Sequence, residues 1–163
     1  MMANNVSLLS NRKITQIVVH CSDSEYGHRA EIDRWHKARR WRGIGYHFVV
    51  LNPYQTYEDY KLLHPNFDMD GVLEEGRDIN EVGSHVKGFN AHSIGICMIG
   101  RRVFTGMQFR TCKDLISTLL IDYPEAQVIG HCELDDEKSC PNIDMDDFRD
   151  QLRLTNISQK AIL

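Results

Sequence analysis

The sequence predicts a single α/β domain: a central mixed β-sheet flanked by about three α-helices. Three observations lead there. Short β-branched apolar runs alternate along the chain with stretches of helical periodicity. The 163 residues suit one core, with about 70% of the unfolded surface buried. Hydrophobic residues make up 42% and charged residues 26%, the balance of an ordinary globule.

Residues 14–21, ITQIVVHC, read as a buried strand with a polar tip at His20, which looks exposed there. Residues 29–41 read as a helix, with Ile32, Trp35 and Ala38 or Arg39 at helical spacing, broken by Gly43 and Gly45. YHFVVL at 46–51 is a second strand. Residues 72–74 form a short strand entered from the Asp70-Gly71 turn. SIGICMI at 93–99 is another strand, whose Gly95 marks a close approach of some other group. Residues 105–123 are the clearest helix. Thr105 and Gln108 fit a capping box, Cys112, Leu115, Ile116, Leu119 and Leu120 form its apolar stripe, and Pro124 follows its end. Residues 127–130 form a strand that delivers His131. Residues 144–154 make a last amphipathic helix with Met145, Phe148 and Leu152 inward. The domain is thus expected over 14–154, with an N-terminal extension at 1–13 and a fraying tail at 155–163. Residues 53–69 read as a long loop, too rich in tyrosine for a linker.

Composition excludes several classes. A net charge of −4 gives no general drive toward nucleic acid or an anionic membrane. The basic run 29–42 and the acidic run 133–150 read as solvated faces. No apolar run is long enough to span a bilayer. The start lacks a basic stretch followed by an apolar core, so no signal peptide is expected and synthesis would be cytoplasmic. Five scattered cysteines argue against a disulfide framework, and Cys97 and Cys112 sit in core patterns.

Chemistry concentrates at strand ends. His20, His131 and Cys140 offer two imidazoles and a thiolate, and three ligands plus a vacant position describe a catalytic Zn2+, one per chain. Strand alternation would turn Cys21 away from a site faced by His20, and Cys132 away from one faced by His131. Pro141 restricts the backbone of Cys140. Such a donor set leaves the centre with net positive charge and favours ionisation of a bound water. The spacing alone is weak, since eight histidines give chance pairs. Lys138, two residues before Cys140, and Tyr46, opening the second strand, are the oxyanion-stabilising candidates. By itself Lys138 reads more simply as a loop lysine in an acidic stretch. His85 and Asn90, in a Gly-rich segment, could hydrogen-bond amides or sugar hydroxyls. His28, His36, His47 and His64 read as surface or packing residues.

Four blocks then line up in order: IVVHCS, WRGIGYHFVV, VGSHVKGFNAHSIGICMIG and GHCELDDEKSCPNID. Together they resemble the zinc-dependent N-acetylmuramoyl-L-alanine amidases of type 2, phage lysozyme-type members above all, and peptidoglycan recognition proteins share that fold. The likeness covers residues 14–153. It implies His20, His131 and Cys140 as metal ligands, Tyr46 as the catalytic tyrosine, and Lys138 as the lysine beside the metal. It implies His85 and Asn90 as lining residues of the substrate groove. Lys138 is aligned by its distance to Cys140, because the loop after His131 is one residue longer than in phage relatives. Residues 53–69 look inserted. The implied substrate is bacterial peptidoglycan, cut between the lactyl group of N-acetylmuramic acid and L-alanine by a monomer that reaches the wall after release from the cytoplasm. The alternatives are a non-catalytic peptidoglycan-binding module, against which the presence of Cys140 counts, and a regulatory module using the basic helix and 53–69.

Overall fold

A computed structural model describes residues 8–160. Of the expected terminal segments, residues 1–7 and 161–163 lie outside the described residues.

Five strands form one sheet in the order β3-β2-β4-β1-β5. They are β1 (Gln16–Cys21), β2 (Phe48–Val50), β3 (Leu73–Glu75), β4 (Ser93–Met98) and β5 (Gln127–Gly130). β1 runs parallel to β4 and β5, and β2 parallel to β4. Only β3, at the edge, is antiparallel. The sheet is therefore mixed, as the alternation of strand and helix patterns predicts.

The strands that run apolar throughout are covered on both faces, the expected state of parallel strands. On one face Ile17, Val19, Phe48, Val50, Ile94, Ile96 and Met98 meet Cys112, Leu115, Ile116 and Leu119 of α3 (Gly106–Asp122) and Met145, Phe148 and Leu152 of α4 (Met145–Lys160). On the other, Val49, Leu51, Cys97 and Ile99 meet Ile32 of α1 (Arg29–Ala38) and Ile44. α1 covers only part of that face. A groove stays open on this side, lined by the residues that follow β1 and β5 and by segments that precede β2 and β4.

Local signals set several boundaries. Thr105 Oγ1 accepts from the Gln108 amide at 3.0 Å and Gln108 Oε1 accepts from the Thr105 amide at 3.1 Å, so the predicted capping box is present. Asp144 caps α4 by accepting from the Asp146 and Asp147 amides, both at 3.0 Å. α4 continues to Lys160, beyond the end the apolar stripe suggests. α1 stops at Ala38, short of the predicted end, because Arg40 takes a left-handed φ of 63°.

The stretch 53–69 is not wholly irregular. It contains a fourth helix, α2 (Tyr57–Lys61), whose Thr56 cap pairs reciprocally with Asp59. That T-x-x-D signature stands in the sequence, but Asp in place of Glu or Gln makes it a weaker capping signal. Among the described residues no helix is long and apolar enough to cross a membrane.

Candidate metal centre

His20 sits one residue from the end of β1, between β4 and β5. The sequence makes it look like an exposed tip, but it is fully buried. Both neighbouring strands flank it, and Tyr46 and His85 close over it, with ring centroids 5.1 and 4.9 Å away. His131 opens the 3-10 turn His131–Glu133 directly after β5. Cys140 arrives on the loop that follows. Its carbonyl accepts from the Cys132 amide at 2.8 Å, which ties the loop back to that turn.

The three predicted ligands converge. His20 Nδ1 lies 3.2 Å from His131 Nδ1 and 3.9 Å from Cys140 Sγ. All three donor atoms lie within 4.8 Å of one another. Tetrahedral zinc, with bonds of about 2.0–2.1 Å to nitrogen and about 2.3 Å to sulfur, sets two nitrogens about 3.3 Å apart and a nitrogen and a sulfur about 3.6 Å apart. The two separations to His20 lie within about 0.3 Å of those values, while the whole set spans up to 4.8 Å and would contract around such an ion.

The surroundings favour the neutral imidazoles a cation needs but hold Cys140 as a thiol, whose proton a metal would have to displace. Burial lowers the proton affinity of His20 well below the ordinary imidazole range, reinforced by His85 and His131. Burial also lowers that of His131, with Asp135 opposing and Lys138 assisting. Both rings are therefore neutral near pH 7. Cys140 Sγ accepts from the Cys21 amide at 3.1 Å. The Cys21 thiol hydrogen-bonds to the same sulfur, which pulls Cys21 down to about 7 and, with burial, pushes Cys140 up. The two thiols form a pair that holds one negative charge far more readily than two.

That contact corrects an expectation. Alternation along β1 should turn Cys21 away from the site of His20, yet Cys21 lines the same groove and meets Cys140. The strand ends at Cys21, and the 140 loop wraps around that end instead of approaching from the face of His20.

Each imidazole has a partner behind it. His131 Nε2 lies 4.0 Å from Asp135 Oδ2. His20 Nε2 lies 2.9 Å from His85 Nδ1, and His85 Nε2 lies 3.2 Å from Ser93 Oγ. Asn90 Oδ1 accepts from the His85 and Val86 amides, both at 2.9 Å, and so shapes the loop that carries His85.

Tyr46, Lys138, His85 and Asn90 all line one groove of about 710 Å³ that also contains His131 and Cys140. Burial, then the nearby Cys97 and Cys140 sulfurs, push the Tyr46 hydroxyl well above its usual value, so it keeps its proton. Arg39 and Lys87 add positive charge to the walls, and Asp23, Asp135 and Glu137 add negative charge.

Some supporting residues escape a reading of the sequence. Glu133, placed by that reading on a solvated acidic face, accepts from the Gly130 amide at 2.7 Å and pairs with both terminal nitrogens of Arg149 on α4 at 2.9 and 3.0 Å. It thereby holds the turn that presents His131. Arg12, within the expected extension, donates to the carbonyls of Asn90 and Ala91 at 3.3 Å and of Ser93 at 3.2 Å. His36 and His47 are buried packing residues, as expected. His36 Nδ1 accepts from the Gly45 amide and His47 Nδ1 from the Gly95 amide, each at 3.0 Å.

Comparison with known proteins agrees with this geometry. The family model described as N-acetylmuramoyl-L-alanine amidase matches residues 10–143. An endolysin of Klebsiella phage KP32 is 32% identical over 152 residues, covering 86% of this chain and 88% of that protein. The endolysin of Escherichia phage T7 is 34% identical over 140 residues, covering 79% of this chain and 81% of its own. Among solved structures, the N-acetylmuramoyl-L-alanine amidase LysC from Clostridium intestinale URNW superposes with a TM-score of 0.72 at 28% identity, covering 88% of this chain and 87% of that one. Drosophila PGRP-LB shares the fold, with a TM-score of 0.63 at 21% identity over 81% of this chain and 76% of its own.

Proposed function

The chain belongs to the N-acetylmuramoyl-L-alanine amidase family, and on that premise we propose that it is a zinc-dependent peptidoglycan hydrolase. It cleaves the amide between the lactyl group of N-acetylmuramic acid and L-alanine of the stem peptide. The observation that carries this reading is the convergence of His20, His131 and Cys140, the last two of which line an open groove.

His20 and His131 through Nδ1, and Cys140 through Sγ, would hold one zinc ion per chain. Bound there, zinc supplies a Lewis acid that polarises the scissile carbonyl and acidifies water.

The remaining work falls to the chain's own side chains. Tyr46 retains its hydroxyl proton and so can donate a hydrogen bond to the carbonyl oxygen as negative charge develops on it. Lys138, on the groove wall, adds positive charge to the same region. Tyr46 and the acidified water are both candidates to pass a proton to the leaving amine of L-alanine. His85 and Asn90 form part of the wall along which the sugar–peptide lies. Relatives named as endolysins support a lytic role, with the wall reached after release from the cell.

Digestion of purified sacculi tests the reading. New L-alanine amino ends should appear with the wild-type chain, and Cys140→Ser should abolish them.

A further inference from the structure

We propose that His85 is a positioning residue for His20: it receives the Nε2 proton of His20 and so fixes the tautomer and ring angle in which Nδ1 faces the metal position. The inference rests on the metal reading above and gives His85 a role besides lining the groove.

The hydrogen-bond directions follow from the geometry. His20 has two ring nitrogens. Nδ1 faces His131 Nδ1 at 3.2 Å and Cys140 Sγ at 3.9 Å, so it must present a lone pair to a cation. The ring proton then sits on Nε2, whose neighbour is His85 Nδ1 at 2.9 Å. His85 must accept there, which puts its own proton on Nε2, facing Ser93 Oγ at 3.2 Å. The chain His20–His85–Ser93 therefore runs in one direction and has one tautomer at each ring.

The surroundings hold this chain in place. His20 and Ser93 are fully buried and His85 is 9% exposed, so water barely competes. The His85 ring lies in a slot cut by two missing side chains. A Cβ at Gly95 would stand 2.7 Å from ring carbons of His85, and one at Gly83 would stand 2.6 Å from Cδ2. Gly95 pairs with Val18 on β1, two residues before the Cys97 that pairs with His20 and so on the same face of the sheet. The glycine on β4 is thus what lets the ring lie against the sheet beside His20. Asn90 fixes the backbone of the same loop through the His85 and Val86 amides. With both ring nitrogens committed to protein partners, the polar atoms of His85 serve the metal site first.

Outer partners of metal-bound imidazoles typically change metal affinity by about 10–100-fold when removed. The test is zinc affinity, measured by competition with a chromophoric chelator, together with kcat and KM on soluble muropeptide, for wild type, His85→Ala, His85→Asn and His85→Gln. Asparagine carries an oxygen where histidine carries Nδ1, so His85→Asn keeps the acceptor toward His20. Glutamine reproduces only the far end of the ring. The expected result is about 10–100-fold weaker zinc binding in His85→Ala and His85→Gln, with recovery in His85→Asn. The Asn and Gln variants also decide the question if His85→Ala fails to fold. Equal zinc affinity in all variants, with effects confined to KM, would make His85 a substrate contact only and overturn the proposal. A wild-type chain that takes up no zinc would instead overturn the metal reading itself, and this inference with it.

Discussion

His20 Nδ1 and His131 Nδ1 face each other at 3.2 Å, although 111 residues separate them in the chain. Two neutral imidazoles gain little from such an encounter, since only one can donate to the other. A cation between them satisfies both lone pairs. Metal removal should therefore loosen the fold. At free zinc about 100 times its dissociation constant, the expected stabilisation is about 2.7 kcal/mol. Thermal melts with and without chelator would measure it, and Cys140→Ser should show a much smaller shift.

Tyr46 is expected to act in the transition state rather than in binding. Losing one oxyanion donor typically costs about 100-fold or more in kcat. Tyr46→Phe should show that loss with KM and zinc affinity nearly unchanged. Steady-state kinetics combined with a zinc titration would separate these effects, and a change mainly in KM would argue against the role.

Gly95→Ala probes the slot beneath His85. The new methyl would meet the ring at 2.7 Å, inside any normal contact. Overpacking of this kind costs about 1–3 kcal/mol. The melting temperature should fall by about 2–4 °C for each kcal/mol lost. Zinc affinity should fall as well, because the ring that moves is the partner of His20. An alanine variant as stable as wild type would mean that the slot has room to spare.

His47 makes the fold acid-sensitive. Burial pulls its imidazole down to about 4. The unfolded chain, with an ordinary imidazole near 6.5, takes up this proton first as pH falls. The His47 contribution to stability is therefore undiminished above about pH 6.5 and declines toward pH 4, by about 3 kcal/mol over that window. Asparagine can keep the acceptor that meets the Gly95 amide but cannot titrate. Urea unfolding of the metal-free protein from pH 7 to 4.5 should therefore show a shallower decline for His47→Asn. Equal slopes would contradict the assignment.

Much of the fold was legible because local and global signals agree. The Thr105–Gln108 box, the apolar stripe of α3 and the β-branched runs of β1 and β4 each satisfy one local rule that packing then reinforces. The site was legible as residue types at strand ends, and four ordered motifs tied those ends together. What stayed hidden depends on the path of the chain in space. No local pattern says that the 140 loop wraps the end of β1 to meet Cys21, or that Tyr46 and His85 bury His20. Nor does an acidic run reveal that Glu133 turns inward to Gly130 and Arg149. β3 lies one residue later than expected, since an edge strand of three residues carries little apolar alternation to fix its register.

The central claim is best tested by metal content and wall digestion measured on the same preparations of wild type and Cys140→Ser. Wild type should carry one zinc per chain and release L-alanine amino ends from sacculi, and the variant should lose most of both. A Cys140→Ser chain that digests sacculi at the wild-type rate, or a wild type that does so after complete zinc removal, would contradict it.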